Sequence, residues 1–319
     1  MKLYLIILAT YIGYNSCCMK NMRIPLLIAW GVAVIGIIFG SFFDLSISKA
    51  IASPTNGFAL TISAIFPTLG FMGVAAIGGG FIAFIVKGKY PTFLKVLFGI
   101  LAAGCLGLSI AYPAGEYFSI NGFYGAAPEW TGYFIVVLPE VGAMVGGYFL
   151  FKDFKNESMW IVFLIVAVVL AAALLGAVTG LKAIMHRPRY RLISVNENIA
   201  FHNWWEPCRN YKELMELYSI PKENFKSYPS GHTAEVSILF VAVTFFPLAN
   251  EKMKKYQLPA FIVVCALVIL VAVARVLAAA HYLSDVSWGA AIILTLTIIA
   301  NEVVTRVKPL QLKEDSLNI

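Results

Sequence analysis

Charge is scarce in this sequence. Asp, Glu, Lys and Arg make up 13% of its 319 residues, where a soluble domain carries about 25%. That excludes an ordinary soluble enzyme. Cysteine is scarce too. Cys17, Cys18, Cys105, Cys208 and Cys265 are scattered along the chain, which excludes a disulfide framework and a thiolate metal set. There are only four histidines, and no His/Cys/carboxylate spacing of a metal centre, so neither metal nor cofactor is expected. The net charge of +7 comes without any pattern of RNA or DNA recognition, so no nucleic-acid partner is expected. Apolar residues are abundant: 60% of the chain, with a mean hydropathy of +0.81. The expected fold is an all-α, polytopic transmembrane bundle.

Runs of about 17–25 apolar residues cross a bilayer. Eight are found: Ile24–Phe43, Leu69–Val86, Phe93–Ala111, Thr131–Phe151, Met159–Leu181, Thr233–Ala249, Leu258–Ala280 and Leu283–Val304. Backbone satisfaction in lipid makes them helices. Ile47–Thr68 is expected to be a loop or half-buried segment, broken at Pro54 and Pro67. Gly78-Gly79-Gly80 fits either close helix packing or a kink. Residues 1–18 form a short apolar run, a dispensable extension or an extra span; Met19 to Arg23 ahead of an apolar run makes a normal bacterial start. The expected organisation is an N-terminal segment (1–23), N-terminal transmembrane helices (24–158), a core (159–305) with an external loop (182–231), and a tail (306–319). Lys and Arg at Lys20, Arg23, Lys87, Lys89, Lys95, Lys152, Lys155, Lys252, Lys254, Lys255 and Arg306 then share one side. The positive-inside rule makes that side, with the C-terminus, cytoplasmic.

The loop 182–231 breaks this rule with eight basic residues, including Lys182, Arg187 and Arg189. An anionic ligand explains them; so does a long translocated loop, which the rule excuses. Two acids, Glu140 and Glu235, lie inside spans, where function and a buried ion pair or hydrogen bond are both open.

Three clusters fall at one face of this topology. The first is Lys182 to Tyr190, with Lys182 and Arg189 seven apart. The second is Pro229-Ser230-Gly231-His232 at the start of the sixth span. A helix start offers free N–H groups and a positive dipole end, an anion site, with Ser230 as N-cap and Gly231 allowing close approach. The third is Arg275 to Asp285. His281 and Asp285 are four apart and share a face if a helix begins near His281. The carboxylate then holds the imidazole in one tautomer and leaves the other nitrogen free. Each cluster alone also fits a structural helix corner or cap. Together they gather cations, a helix amino end and two histidines at one depth.

These residues resemble the type 2 phosphatidic acid phosphatase superfamily. Its signature is lysine, six residues, arginine-proline; then proline-serine-glycine-histidine; then serine-arginine, five residues, histidine, three residues, aspartate. The resemblance covers about Met159 to Val304 and departs at two positions: Tyr190 stands for proline and Ala274 for serine. It implies hydrolysis of a phosphate monoester or diphosphate through a phosphohistidine. His281 attacks, Asp285 orients it, and His232 protonates the leaving oxygen and then activates water. Lys182, Arg189, Arg275 and the Ser230–Gly231 backbone hold the phosphate oxygens. The expected partners are the bilayer and a lipid phosphate: undecaprenyl diphosphate, phosphatidylglycerophosphate or phosphatidic acid. The expected location is a bacterial cytoplasmic membrane, with the site facing outward. His202 to Trp205 reads as an interfacial anchor, and Tyr211, Leu214, Met215 and Tyr218 as an amphipathic helix over the opening. The alternatives are a lipid phosphotransferase, which shares the first half-reaction, and a non-catalytic transporter or scaffold.

Overall fold

A computed structural model describes residues 2–124, 130–152, 171–249 and 251–306, the stretch before Met22 by its backbone alone. The long helices are α1 (Lys2–Ile51), α2 (Gly57–Lys87), α3 (Thr92–Tyr124) and α4 (Trp130–Phe151). A π-helical stretch, Ala171–Val178, leads into α5 (Thr179–Met185). Then come α6 (Tyr211–Tyr218), α7 (Gly231–Ala249), α8 (Gln257–Leu277) and α9 (Leu283–Arg306). Among the described residues there is no strand. The protein is a helical membrane bundle.

Six described helices are long and apolar enough to span, and Gly231–Pro247 of α7 is a shorter apolar helix. Of the expected span Met159–Leu181, residues 159–170 lie outside the described residues, as does the tail from 307. The expected loop Ile47–Thr68 is corrected: α1 runs to Ile51, and α2 begins at Gly57. Only a short link remains, and Asn56 caps α2 by accepting a hydrogen bond from the Ala59 N–H at 3.0 Å. The helix runs on through residue 67. In lipid a broken helix leaves N–H and C=O groups unpaired, so a proline is absorbed rather than obeyed.

α1 lies antiparallel to α9. Arg23 pairs with Glu302 at 2.9 Å, and Trp30 Nε1 donates to Thr295 Oγ1 at 2.9 Å. Further along, a Cβ on Gly36 would sit 2.3 Å from Ser287 Oγ, and one on Gly40 would sit 2.6 Å from the Ser284 nitrogen. Gly36 and Gly40 are four apart, the small-residue spacing that lets membrane helices touch by their backbones. α2 packs against α3 and α4 on one side and α7 and α8 on the other. Gly79 answers the question of the triple glycine: a Cβ there would meet the Met144 carbonyl oxygen of α4 at 1.9 Å. Close packing, not a kink, is its use.

Two buried apolar clusters hold these contacts. One centres on Phe98, Phe84 and Phe245, the other on Leu26, Phe240 and Val271. The outward faces are apolar as well, as Ile28, Phe42, Ile100 and Ile262 show. Water would not tolerate that; hydrocarbon does.

The loop between α5 and α7 folds on itself. Leu192, Ile199, Cys208, Ile220 and Phe225 form its core, and Tyr211, Leu214 and Met215 of α6 pack against them. Those three side chains of α6 thus turn toward the loop's own core, while Leu217 and Tyr218 stay exposed. Cys208 is buried in that core.

Candidate active site

Backbone hydrogen bonds pin the three clusters together. The Ser227 N–H donates to the Arg187 carbonyl at 3.0 Å, the Arg191 N–H to the Ala279 carbonyl at 2.9 Å, and the Ser230 N–H to the Asp285 carbonyl at 2.9 Å. The start of the loop, its end and the α8–α9 link thus form one unit. It sits at the end of the bundle opposite Arg23 and Glu302.

α7 starts at Gly231. Ser230 precedes it, and its Oγ accepts from the Thr233 N–H at 3.4 Å and from Thr233 Oγ1 at 3.1 Å. It acts as the N-cap that the sequence suggests. Lys182 Nζ and Glu235 Oε1 each lie 3.1 Å from where a Gly231 Cβ would stand. Any side chain at 231 would therefore fill the space between the lysine and the helix start. Glu235, one of the two embedded acids, belongs to this neighbourhood. Glu140 does not: it is buried on α4 with Ser109 of α3 as its polar neighbour.

His232 is buried within the electrostatic reach of Arg275, His281, Lys182 and Arg189. Arg275 closes α8, and its carbonyl accepts the His281 N–H at 3.2 Å. Arg189 is held by its Nε on the Glu223 carbonyl at 3.0 Å. All the residues named from the sequence are thus brought together.

The His281–Asp285 pairing needs correction. α9 begins at Leu283, so His281 precedes the helix. Its Nδ1 lies 3.9 Å from Asp285 Oδ2, too far for a hydrogen bond. Nδ1 instead lies 2.6 Å from the Ser227 carbonyl. A carbonyl only accepts, so Nδ1 carries the proton and Nε2 presents its lone pair. Asp285 acts one step back. Its Oδ2 accepts from the Ser227 hydroxyl and, at 2.9 Å, from the Tyr282 N–H. It thereby fixes both the residue that orients His281 and the residue beside it. Burial pushes the His281 imidazole well below its ordinary pKa. Arg189 and Arg275 push the same way, and Asp285 opposes them. The ring is neutral at pH 7.

Two site residues escaped the sequence reading. Arg187 is fully buried. Its Nη1 meets Asp285 Oδ1 at 2.5 Å and Ser284 Oγ at 2.9 Å, its Nη2 meets Asp44 Oδ2 at 2.8 Å, and its Nε donates to the His202 carbonyl at 2.8 Å. Its guanidinium stacks 4.2 Å over the Tyr282 ring. Burial works against the charge, but Asp285 and Asp44 outweigh it and raise the pKa. Asp44 is the second. A signal for it existed: an acid at the end of the first apolar run, on the side of the basic loop.

The two departures from the signature are accommodated quietly. Tyr190 opens a one-turn helix and meets the Tyr282 ring edge-on at 6.4 Å. Ala274 is buried among Ala59, Ala278 and Ala280, a pocket of methyl groups. Trp204, expected as an anchor, packs on Tyr228 and Trp288 and donates to Ser41 Oγ at 2.9 Å. Trp205 is the exposed one of the pair.

These features define a class: a helical membrane protein with a buried, cation-lined, two-histidine site at one end of the bundle. Residues 160–308 match the family model described as the PAP2 superfamily, a match consistent with a member of that superfamily. Members of that superfamily are mostly phosphatases, which supports chemistry on phosphate esters. No curated protein and no solved structure matches the chain.

Proposed function

We propose that this protein is a membrane-embedded lipid phosphatase working through a phosphohistidine. The observation that carries the proposal is His281: a neutral imidazole with Nδ1 tied to a carbonyl, set among Arg189, Arg275 and His232. Nε2 attacks phosphorus as the bond to the leaving oxygen breaks. His232 gives that oxygen its proton; the negative charge of bound phosphate favours the protonated ring. Water, giving a proton back to His232, then attacks phosphorus and breaks the N–P bond, and inorganic phosphate leaves. Lys182, Arg189, Arg275 and the N–H groups at the start of α7 neutralise the charge that builds on the phosphate oxygens.

A lipid substrate is supported by an apolar groove of about 600 Å³ between α1, α8 and α9. Ile28, Val32, Phe261 and Val268 line it, and it reaches Val276 and Leu283, which flank the link bearing His281. The substrate class is a lipid phosphate or diphosphate of the undecaprenyl diphosphate, phosphatidylglycerophosphate or phosphatidic acid type. The lysines of the α2–α3 and α7–α8 turns lie at the far end of the bundle. By the positive-inside rule the site then faces outward from a cytoplasmic membrane. The test is release of inorganic phosphate from these lipids in detergent. Turnover lost in His281→Ala supports the proposal; lipid phosphates left intact by folded wild type count against it.

A further inference from the structure

We propose that Asp44 is a positioning residue of this site, so that α1, outside the family-matched region, completes it. The inference rests on the phosphatase reading above.

Asp44 is 2% exposed at the site end of α1. A carboxylate buried beside hydrocarbon is retained only where partners satisfy it. Asp44 has three. Oδ2 receives Arg187 Nη2 at 2.8 Å and the Ser284 hydroxyl; Oδ1 receives the Ser284 N–H at 2.9 Å. Ser284 is the second residue of α9, and its N–H is one that no carbonyl of its own helix can satisfy. Asp44 caps α9 from another helix and sets a negative charge at its positive end.

That first turn is where the chemistry is anchored. Asp285 is the next residue, and Arg187 bridges it to Asp44. Two carboxylates share one guanidinium, leaving a net negative charge near a ring that becomes more cationic when phosphorylated. Remove the Asp44 charge and Arg187 neutralises Asp285 alone. The contact is built for closeness. Gly40, one turn before Asp44, is the only residue type that leaves room for the Ser284 backbone: a Cβ would lie 2.6 Å from its nitrogen and 2.8 Å from Asp44 Oδ1. Ser41, between them, receives the Trp204 indole and ties the loop to the same stretch of α1.

The experiment measures kcat and KM for phosphate release by wild type, Asp44→Asn and Asp44→Glu, with thermal midpoints in the same detergent. Asp44→Asn should lower kcat about 10- to 100-fold, the size of a charge-assisted hydrogen bond, with KM within about two-fold. Asp44→Glu, keeping the charge, should recover part of the loss. A kcat within about two-fold of wild type, or a loss confined to KM, overturns the proposal. If Asp44→Asn does not fold, Ser284→Ala removes the hydroxyl shared by Asp44 and Arg187, and should lower kcat about three- to ten-fold; no change overturns the inference. A wild type without turnover sinks the phosphatase reading by itself. Asp44 is then judged by orthovanadate, which takes up the five-coordinate geometry of phosphoryl transfer. Thermal stabilisation by vanadate should need about ten-fold more of it in Asp44→Asn. Equal responses, or none in wild type, overturn the positioning role as well.

Discussion

Replacing Arg187 by methionine removes the cation that bridges Asp44 and Asp285. Methionine keeps the stem and its packing but not the fork. Four hydrogen bonds go with it: to Asp285, Ser284, Asp44 and the His202 carbonyl. Both carboxylates are 2% exposed or less, so water cannot take the place of the arginine. Breaking a buried pair by removing one partner costs about 3–5 kcal/mol. For a chain of this size that is a fall in thermal midpoint on the order of 5–10 °C. The assay is thermal unfolding in detergent, followed by size-exclusion fluorescence. Adding Asp44→Asn to Arg187→Met should then raise the midpoint, because it removes one of two buried like charges. The same Asp44→Asn change lowers it in wild type. That reversal of sign is specific to the bridged triad. A midpoint unchanged in Arg187→Met, or additive effects in the double variant, would refute the reasoning.

Gly40→Ala should push α1 off the start of α9, costing about 1–3 kcal/mol by overpacking, with activity falling alongside the thermal midpoint. Ala274→Ser restores the residue of the signature but sets a hydroxyl among buried methyl groups; it should lose about 1–2 kcal/mol and gain no activity, as read by midpoint and kcat. The pH dependence follows from His281. Its folded pKa is depressed, so below pH about 6.5 the unfolded chain binds the proton that the folded one refuses. Stability should therefore fall as pH drops below that value. The acid limb of kcat/KM should lie under it as well, and a limb at pH 7 or above would contradict the neutral ring.

The motif residues were legible because their chemistry needs particular side chains at short spacings: Lys182 with Arg189, Ser230 to His232, Arg275 with His281. Their convergence followed from counting spans. What holds them was not legible. The tautomer of His281 is set by the backbone carbonyl of Ser227, and a carbonyl has no signature in sequence. Asp44 meets Arg187 across 143 positions, and the hydropathy run ends one residue before it, at Phe43. Arg187 itself was counted among the basic residues of the loop, but a count gives no partner. Pro54 does break the chain, in the short link before α2, but the segment was misread at Pro67, where lipid keeps the helix going.

The most direct test is to quench the protein during turnover of a ³²P-labelled lipid phosphate and find where the label sits. The account predicts an acid-labile, base-stable phosphate on His281, absent in His281→Ala, and accumulating in a His232 variant that cannot activate water. Turnover without label on the protein, or label that persists in His281→Ala, would contradict it.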